Sequence, residues 1–145
     1  MTIRAGIWLT LNGSAAVIAA GAADQIYHMQ APENPTFPYV VINQISGERV
    51  HASQGGGWTD EARTPVVRGR FQIDIWSEDV ITLDTLATGV RLALDGKQRE
   101  SISGVQWQGT FLEGDLDRVV GPADGSDVPT FGKSYDFLIW YEEST

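Results

Sequence analysis

Two histidines, a short run of carboxylates and one glycine tract are the groups in this chain that suggest chemistry. His28 and His51 alone carry side chains that titrate near neutral pH. His28 falls on a short apolar segment and His51 beside a glycine-rich stretch. No Gly-x-Ser-x-Gly elbow or other nucleophile pattern accompanies either one. A hydrolase built on His51 and an acid is the enzymatic alternative, but catalysis needs a nucleophile and base held in mutual geometry. Asp115-x-Asp117, taken with Glu113 and Asp74, has the hard oxygen donors that Ca²⁺ or Mg²⁺ takes. It lacks the ordered acids and central glycine of an EF-hand, so a solvated acidic loop is the expectation. Gly55-Gly56-Gly57 is followed by no Lys-Ser/Thr and opens no helix, so it is not a phosphate loop. The chain has no cysteine, which removes disulfides, thiolate catalysis and cysteine-based zinc sites. These absences lead to the expectation of a non-enzyme with no cofactor and no bound metal.

Residues suited to contact stand out more clearly. Trp58 follows the glycine tract in a polar segment, and a large aromatic there is either an anchor for a neighbouring subunit or tucked back onto its own sheet. Glu61 and Arg63 flank it as charged contact candidates. Between residues 113 and 127, Glu113, Asp115, Asp117, Asp124 and Asp127 are accompanied only by Arg118. Such a block faces water or a basic partner. Asp115, Asp117 and Arg118, with Glu142 and Glu143 near the end of the sequence, complete the candidate interaction set. Trp107 and Trp140 lie in apolar runs and are expected in the core. A carbohydrate-binding module using Trp58 and Trp107 is a further alternative.

The formal charge of −9 on 145 residues, 19 acids against 10 bases, disfavours direct binding to nucleic acid or anionic membrane. Nucleic-acid affinity comes largely from Lys and Arg displacing counterions. No apolar run approaches the ~20 residues of a membrane span. Arg4, Ala5 to Leu11 and Ala20-Gly21-Ala22 imitate a weak signal peptide, but Asn12-Gly13-Ser14 breaks the run. With 42% hydrophobic residues, the chain reads as one globular domain over residues 1–145.

The elements follow from periodicity. Ile3, Ile7 and Leu11 share a stripe over Thr2–Leu11, and Ser14 caps a second turn ended by Gly21. Gln25–Met29 and Tyr39–Ile45 read as strands. Phe71, Ile73 and Ile75 alternate with Gln72 and Asp74, the cleanest strand pattern in the chain. Ser77 is set to cap a helix over Ser77–Asp95, with Glu78 and Asp79 in its first turn and Val80, Leu83, Ala87, Val90 and Leu94 inward. Val105–Leu112 forms a strand with Val105, Trp107 and Phe111 on one face, and Tyr135–Tyr141 is apolar enough to be central. The expected fold is α+β: a mainly antiparallel sheet of about four strands, one main helix across it and a short N-terminal helical segment. Two long loops, about 47–67 and 113–133, exceed ordinary loop lengths and point to contacts within a multi-subunit assembly.

Gln25-Ile26-Tyr27, Ala31-Pro32, Pro38-Tyr39-Val40-Val41, Phe71 to Ser77, Leu92-Ala93-Leu94-Asp95-Gly96 and Asp136 to Tyr141 occur in an order that resembles the tail-completion family of siphophages. Its members are also called tail-terminator or head-to-tail joining proteins. The Gly47–Pro65 stretch matches none of its motifs. The resemblance implies a virion protein, assembled in the host cytoplasm, that forms a hexameric ring on the head-proximal end of the tail tube. Its partners would be further copies of itself, the tail tube protein and the head-closure or connector protein. DNA would pass through the lumen without specific binding. The resemblance brings no enzymatic activity and no cofactor. A head-closure or neck connector protein is the nearest alternative, and a gene transfer agent or prophage would use the same protein.

Overall fold

The computed structural model describes residues 2–50, 66–102, 104–120 and 129–142. Helix α1 (Ile3–Asn12) opens where the Thr2 hydroxyl accepts a hydrogen bond from the Ala5 amide at 3.3 Å. Ile3, Ile7 and Leu11 are buried along one stripe, as their spacing predicts. A turn at Gly13 leads to α2 (Ala15–Ala19), whose following turn reaches Gly21 at φ +96°. Ser14 occupies the N-cap position of α2 without a side-chain cap bond.

Strand β1 (Ile26–His28) pairs parallel with Val40–Ile42 of β2 (Tyr39–Val50). Strand β3 (Val66–Ser77) alternates buried and half-buried residues along its whole length. It leads into α3 (Val80–Leu94), then β4 (Glu100–Ile102), β5 (Val105–Val120) and β6 (Thr130–Glu142). The sheet order is β1-β2-β3-β6-β5-β4, and every pairing except β1 with β2 is antiparallel. The fold is a single α+β domain dominated by a curled six-stranded sheet. The apolar β6 is interior, as its composition predicts.

One face of the sheet carries the core. Phe71, Ile73 and Ile75 of β3, Phe137 and Ile139 of β6 and Trp107 of β5 are fully buried there. They meet Leu83, Leu86, Val90 and Leu94 of α3 and Ile7 and Leu11 of α1 in one continuous cluster. Each such side chain contributes about 1.5–3 kcal/mol when removed from water. Gly89 lets α3 approach α2 closely, since a Cβ there would meet the Ala16 Cβ at 3.2 Å.

Several expectations need correction. The sheet has six strands, not about four: the short strand read at Gln25–Met29 pairs at one flank as β1, and β4 at the other flank, three residues long, is too short to leave a periodic signal. The helix layer is partly as expected: α3 is the longest helix, and the N-terminal segment supplies two further helices, α1 and α2, that both pack on it. Neither long loop survives at its expected size. β2 continues through Gly47 to Val50 and β3 begins at Val66, while β5 carries the acidic stretch to Val120 and β6 starts at Thr130. Backbone pairing, with partners for Glu48 to Val50 at Val66 to Arg68, overrides the low strand propensity of glycine and acids.

The cap of α3 is Asp79, not Ser77. Its carboxylate accepts from the Thr82 amide at 3.2 Å, while the Ser77 hydroxyl accepts from the Asp79 amide at 3.1 Å. Glu78 and Asp79 therefore precede the first turn, and Val80 is exposed, not part of the inward stripe. Past the helix, Gly96 takes φ +82° and its amide donates to the Thr110 carbonyl at 3.0 Å, tying this end to β5.

Phe111 does not share a face with Trp107. The pairing steps from Trp107–Tyr141 to Gly109–Trp140, a bulge that inserts one residue and reverses the alternation beyond it. Thr110 is consequently buried and Phe111 is 53% exposed on the opposite face.

Candidate assembly surface

The helices cover one side of the sheet, and among the described residues no helix lies on the other, open side. Along β3 the open side presents Arg68, Arg70, Gln72, Asp74 and Trp76, all half-buried. Their partners on β6 are Trp140, Leu138, Asp136, Ser134 and Gly132. Phe111 and Leu116 of β5, exposed, extend the same surface. The Trp76 ring lies over Gly132, where a Cβ would come within 2.7 Å of it. The Arg68 guanidinium sits 5.7 Å from the centre of the Trp140 ring and also pairs with Glu48. Arg70 pairs with Glu113 at 2.7 Å. Trp140 was expected in the core, but strand parity puts it on the open face under Arg68. Trp107 is fully buried, as expected.

The acidic residues of β5 are arranged by a second bulge, between Leu112 and Gly114. Asp115 and Asp117 project on the helix side of the sheet beyond the helix layer, opposite Tyr135 and Lys133. Lys133 Nζ lies 3.4 Å from Asp117 and 4.0 Å from Asp115. Burial alone would lower the Lys133 pKa, but Asp117, with smaller help from Tyr135 and Asp115, leaves it raised. The same surroundings act on Tyr135: burial pushes its hydroxyl up, and the two aspartates add to this against Lys133 and Arg91. Arg118 lies on the other face, beside Gly132. Glu142, at the far end of β6, accepts from the Gln108 side chain at 2.8 Å. Seven strand residues separate its level from that of Asp115, about 23 Å, so these acids form two separate places on the surface.

The carboxylates considered as a cation site do not converge. Asp74 accepts from Gln72 at 2.8 Å and from the Ser134 hydroxyl, Glu113 faces Arg70, and Asp115 and Asp117 face Lys133. His28 stands exposed at the end of β1, its pKa lowered by partial burial and then by Arg4. Trp58, Glu61, Arg63, His51 and Glu143 lie outside the described residues. The sequence reading missed Arg68, Arg70, Trp76 and Lys133. The period-two pattern of Gln72 and Asp74 was the available signal for the first three, since extending it in both directions puts them on the same face. Nothing local pairs Lys133 with the aspartates, because that contact depends on the register of β5 with β6.

A curled sheet with helices on one side and a mixed aromatic and charged face on the other presents a broad surface suited to contact with other proteins. The family described as tail completion protein gp17 matches residues 7–120. The chain belongs to this family of bacteriophage tail-completion proteins, which are structural components of the virion. Among solved structures it is similar to a chain from the virion of a native gene transfer agent particle, with TM-score 0.59 and 15% identity. That match covers 94% of this chain and 93% of the other, and the likeness is one of fold. A search of curated protein sequences returned no match.

Proposed function

We propose that residues 1–145 act as one tail-terminator unit, six copies of which close into a ring on the head-proximal end of a tail tube. The ring ends tube polymerisation and presents the surface to which the head connector docks. Family membership over residues 7–120 is the observation that carries this reading. The helix-free face supports it, since Trp76, Trp140, Phe111 and Leu116 leave apolar surface in reach of partners. So does the net charge of −9, because an acidic lumen lets DNA slide past by like-charge repulsion. In this reading the protein is a virion component assembled in the host cytoplasm, without catalytic activity. Asp115, Asp117 and Arg118 on β5 and Glu142 on β6 face the lumen or a partner ring. Trp58, Glu61, Arg63 and Glu143 contact neighbours, the tail tube protein or the head-closure protein.

Deleting the gene and imaging the particles by negative-stain electron microscopy tests this. Overlong or unjoined tails beside filled, tailless heads are the expected result. Tails of normal length beside separated heads would move the protein to the head-closure side of the joint. Intact particles of normal length would overturn the assembly reading.

A further inference from the structure

Among the described residues the sheet has two edge stretches with no strand beside them, and they match each other. β1 lies beside only Val40–Ile42, so the outer side of β2 from Asn43 to Val50 has no neighbouring strand among the described residues. On the other flank, β4 pairs with Val105 to Trp107 of β5. The turn after α3 adds two bonds, from the Gly96 amide to the Thr110 carbonyl and from the Leu112 amide to Asp95 at 3.1 Å. Beyond them, the outer side of β5 from Glu113 to Val120 again has no strand beside it among the described residues. The two stretches, 43–50 and 113–120, are equal in length and contain no proline. They carry Ile45, Leu116 and Val119 at 54%, 57% and 70% exposure.

The geometry points to a second copy of this chain as the occupant: the 113–120 edge of one subunit pairs antiparallel with the 43–50 edge of the next. This inference rests on the ring reading and specifies the contact that closes the ring. Strand direction supports it. Direction alternates from β2 through β3 and β6 to β5, so a β2 placed beside β5 continues an unbroken antiparallel series.

Register supports it further. Ser46 is level with Arg70 and so with Leu138, whereas Leu116 is level with Ser134 and Arg118 with Gly132. Keeping the helix-covered side continuous across the join allows Ser46 to sit beside Leu116 or beside Arg118. Those choices offset neighbouring subunits by about four or six residues over four strands, a strand tilt of roughly 35° or 45°. Both tilts fall in the range of sheets that close into barrels. Pairing the edges therefore favours closure over a flat ribbon, as a heterologous ring contact requires. The second register also sets Ile45 opposite Val119, matching apolar with apolar.

The test compares amide exchange in dilute and concentrated full-length protein, with light scattering to count subunits. Slowing by about tenfold or more at 43–50 and 113–120 on assembly is expected, because free edge amides become bonded. Since the native chain has no cysteine, Ser46→Cys combined with Leu116→Cys or with Arg118→Cys gives an independent readout. Oxidation with copper–phenanthroline should produce a ladder of covalent oligomers from one double variant, and no more than dimers from the single variants. Rings whose two edges exchange as fast as in the monomer, with no ladder, would overturn the edge contact and leave the ring reading standing. Protein that neither assembles in solution nor caps purified tail tubes, with no ladder in either case, would overturn both.

Discussion

Lys133 shows how little an ion pair reveals about its purpose. Asp115 and Asp117 are 62% and 78% exposed, so their attraction to Lys133 contributes at most about 1 kcal/mol to folding. Asp115→Asn with Asp117→Asn should leave the urea midpoint of the monomer nearly unchanged while impairing ring assembly or DNA passage. Unchanged assembly and passage would remove these residues from the functional surface. The folded Lys133 pKa is raised, so the contact stabilises fully below about pH 10.4. That contribution is lost as pH rises through the folded value. The double variant should bring the Lys133 titration down, which NMR of the lysine side chain can follow. On the open face, Gly132→Ala forces Trp76 off its seat, because the added Cβ meets a rigid ring at 2.7 Å. A red-shifted tryptophan emission with partial loss of stability is the expected outcome, and an unchanged spectrum would show that the ring has room to move.

At the scale of elements, the β5 bulge and the α3 cap are the informative features. The bulge turns Thr110 inward, where its hydroxyl has no hydrogen-bond partner among the described residues. Thr110→Val keeps the shape and removes the buried polar group, so it should stabilise the fold by about 1 kcal/mol, measured by urea unfolding. A destabilised variant would mean the hydroxyl has a partner after all. For the cap, the Thr82 side-chain and backbone bonds lower the Asp79 pKa. Its stabilising contribution is therefore present above the ordinary aspartate value and lost as pH falls through the lowered one. Asp79→Ala should lower Tm at pH 7, with the difference from the native chain disappearing in acid.

For the whole molecule, one continuous core holds the sheet and helix layer together. Phe137, fully buried at the centre of β6, is the side chain whose loss should be felt throughout. Phe137→Ala should cost about 3–5 kcal/mol in urea unfolding and abolish assembly through misfolding. Impaired assembly after the Asp115 and Asp117 substitutions would differ in kind, since the monomer should stay folded. The open face stays available because, among the described residues, the helices pack on one side only. A domain of this design makes stability with one surface and leaves the others for neighbours.

Local periodicity settled much of this in advance. The stripe of Ile3, Ile7 and Leu11, the alternation through Phe71, Ile73 and Ile75, the helix ending at Gly96 and the central character of Tyr135–Tyr141 are short-range consequences of side-chain spacing. The ordered strand motifs were also enough to indicate the tail-completion family. Other features depend on residues far apart in sequence. A bulge reverses facing without changing composition, which is why Phe111 and Thr110 exchange places. Hairpin pairing extends β2, β3, β5 and β6 through glycine and acid that have little tendency to be strand alone. The contact of Lys133 with Asp117, the seat of Trp76 on Gly132 and the place of Trp140 on the open face beneath Arg68 follow from register across the sheet. Register is set by the sum of cross-strand contacts and shared burial, so only the tertiary structure could decide it.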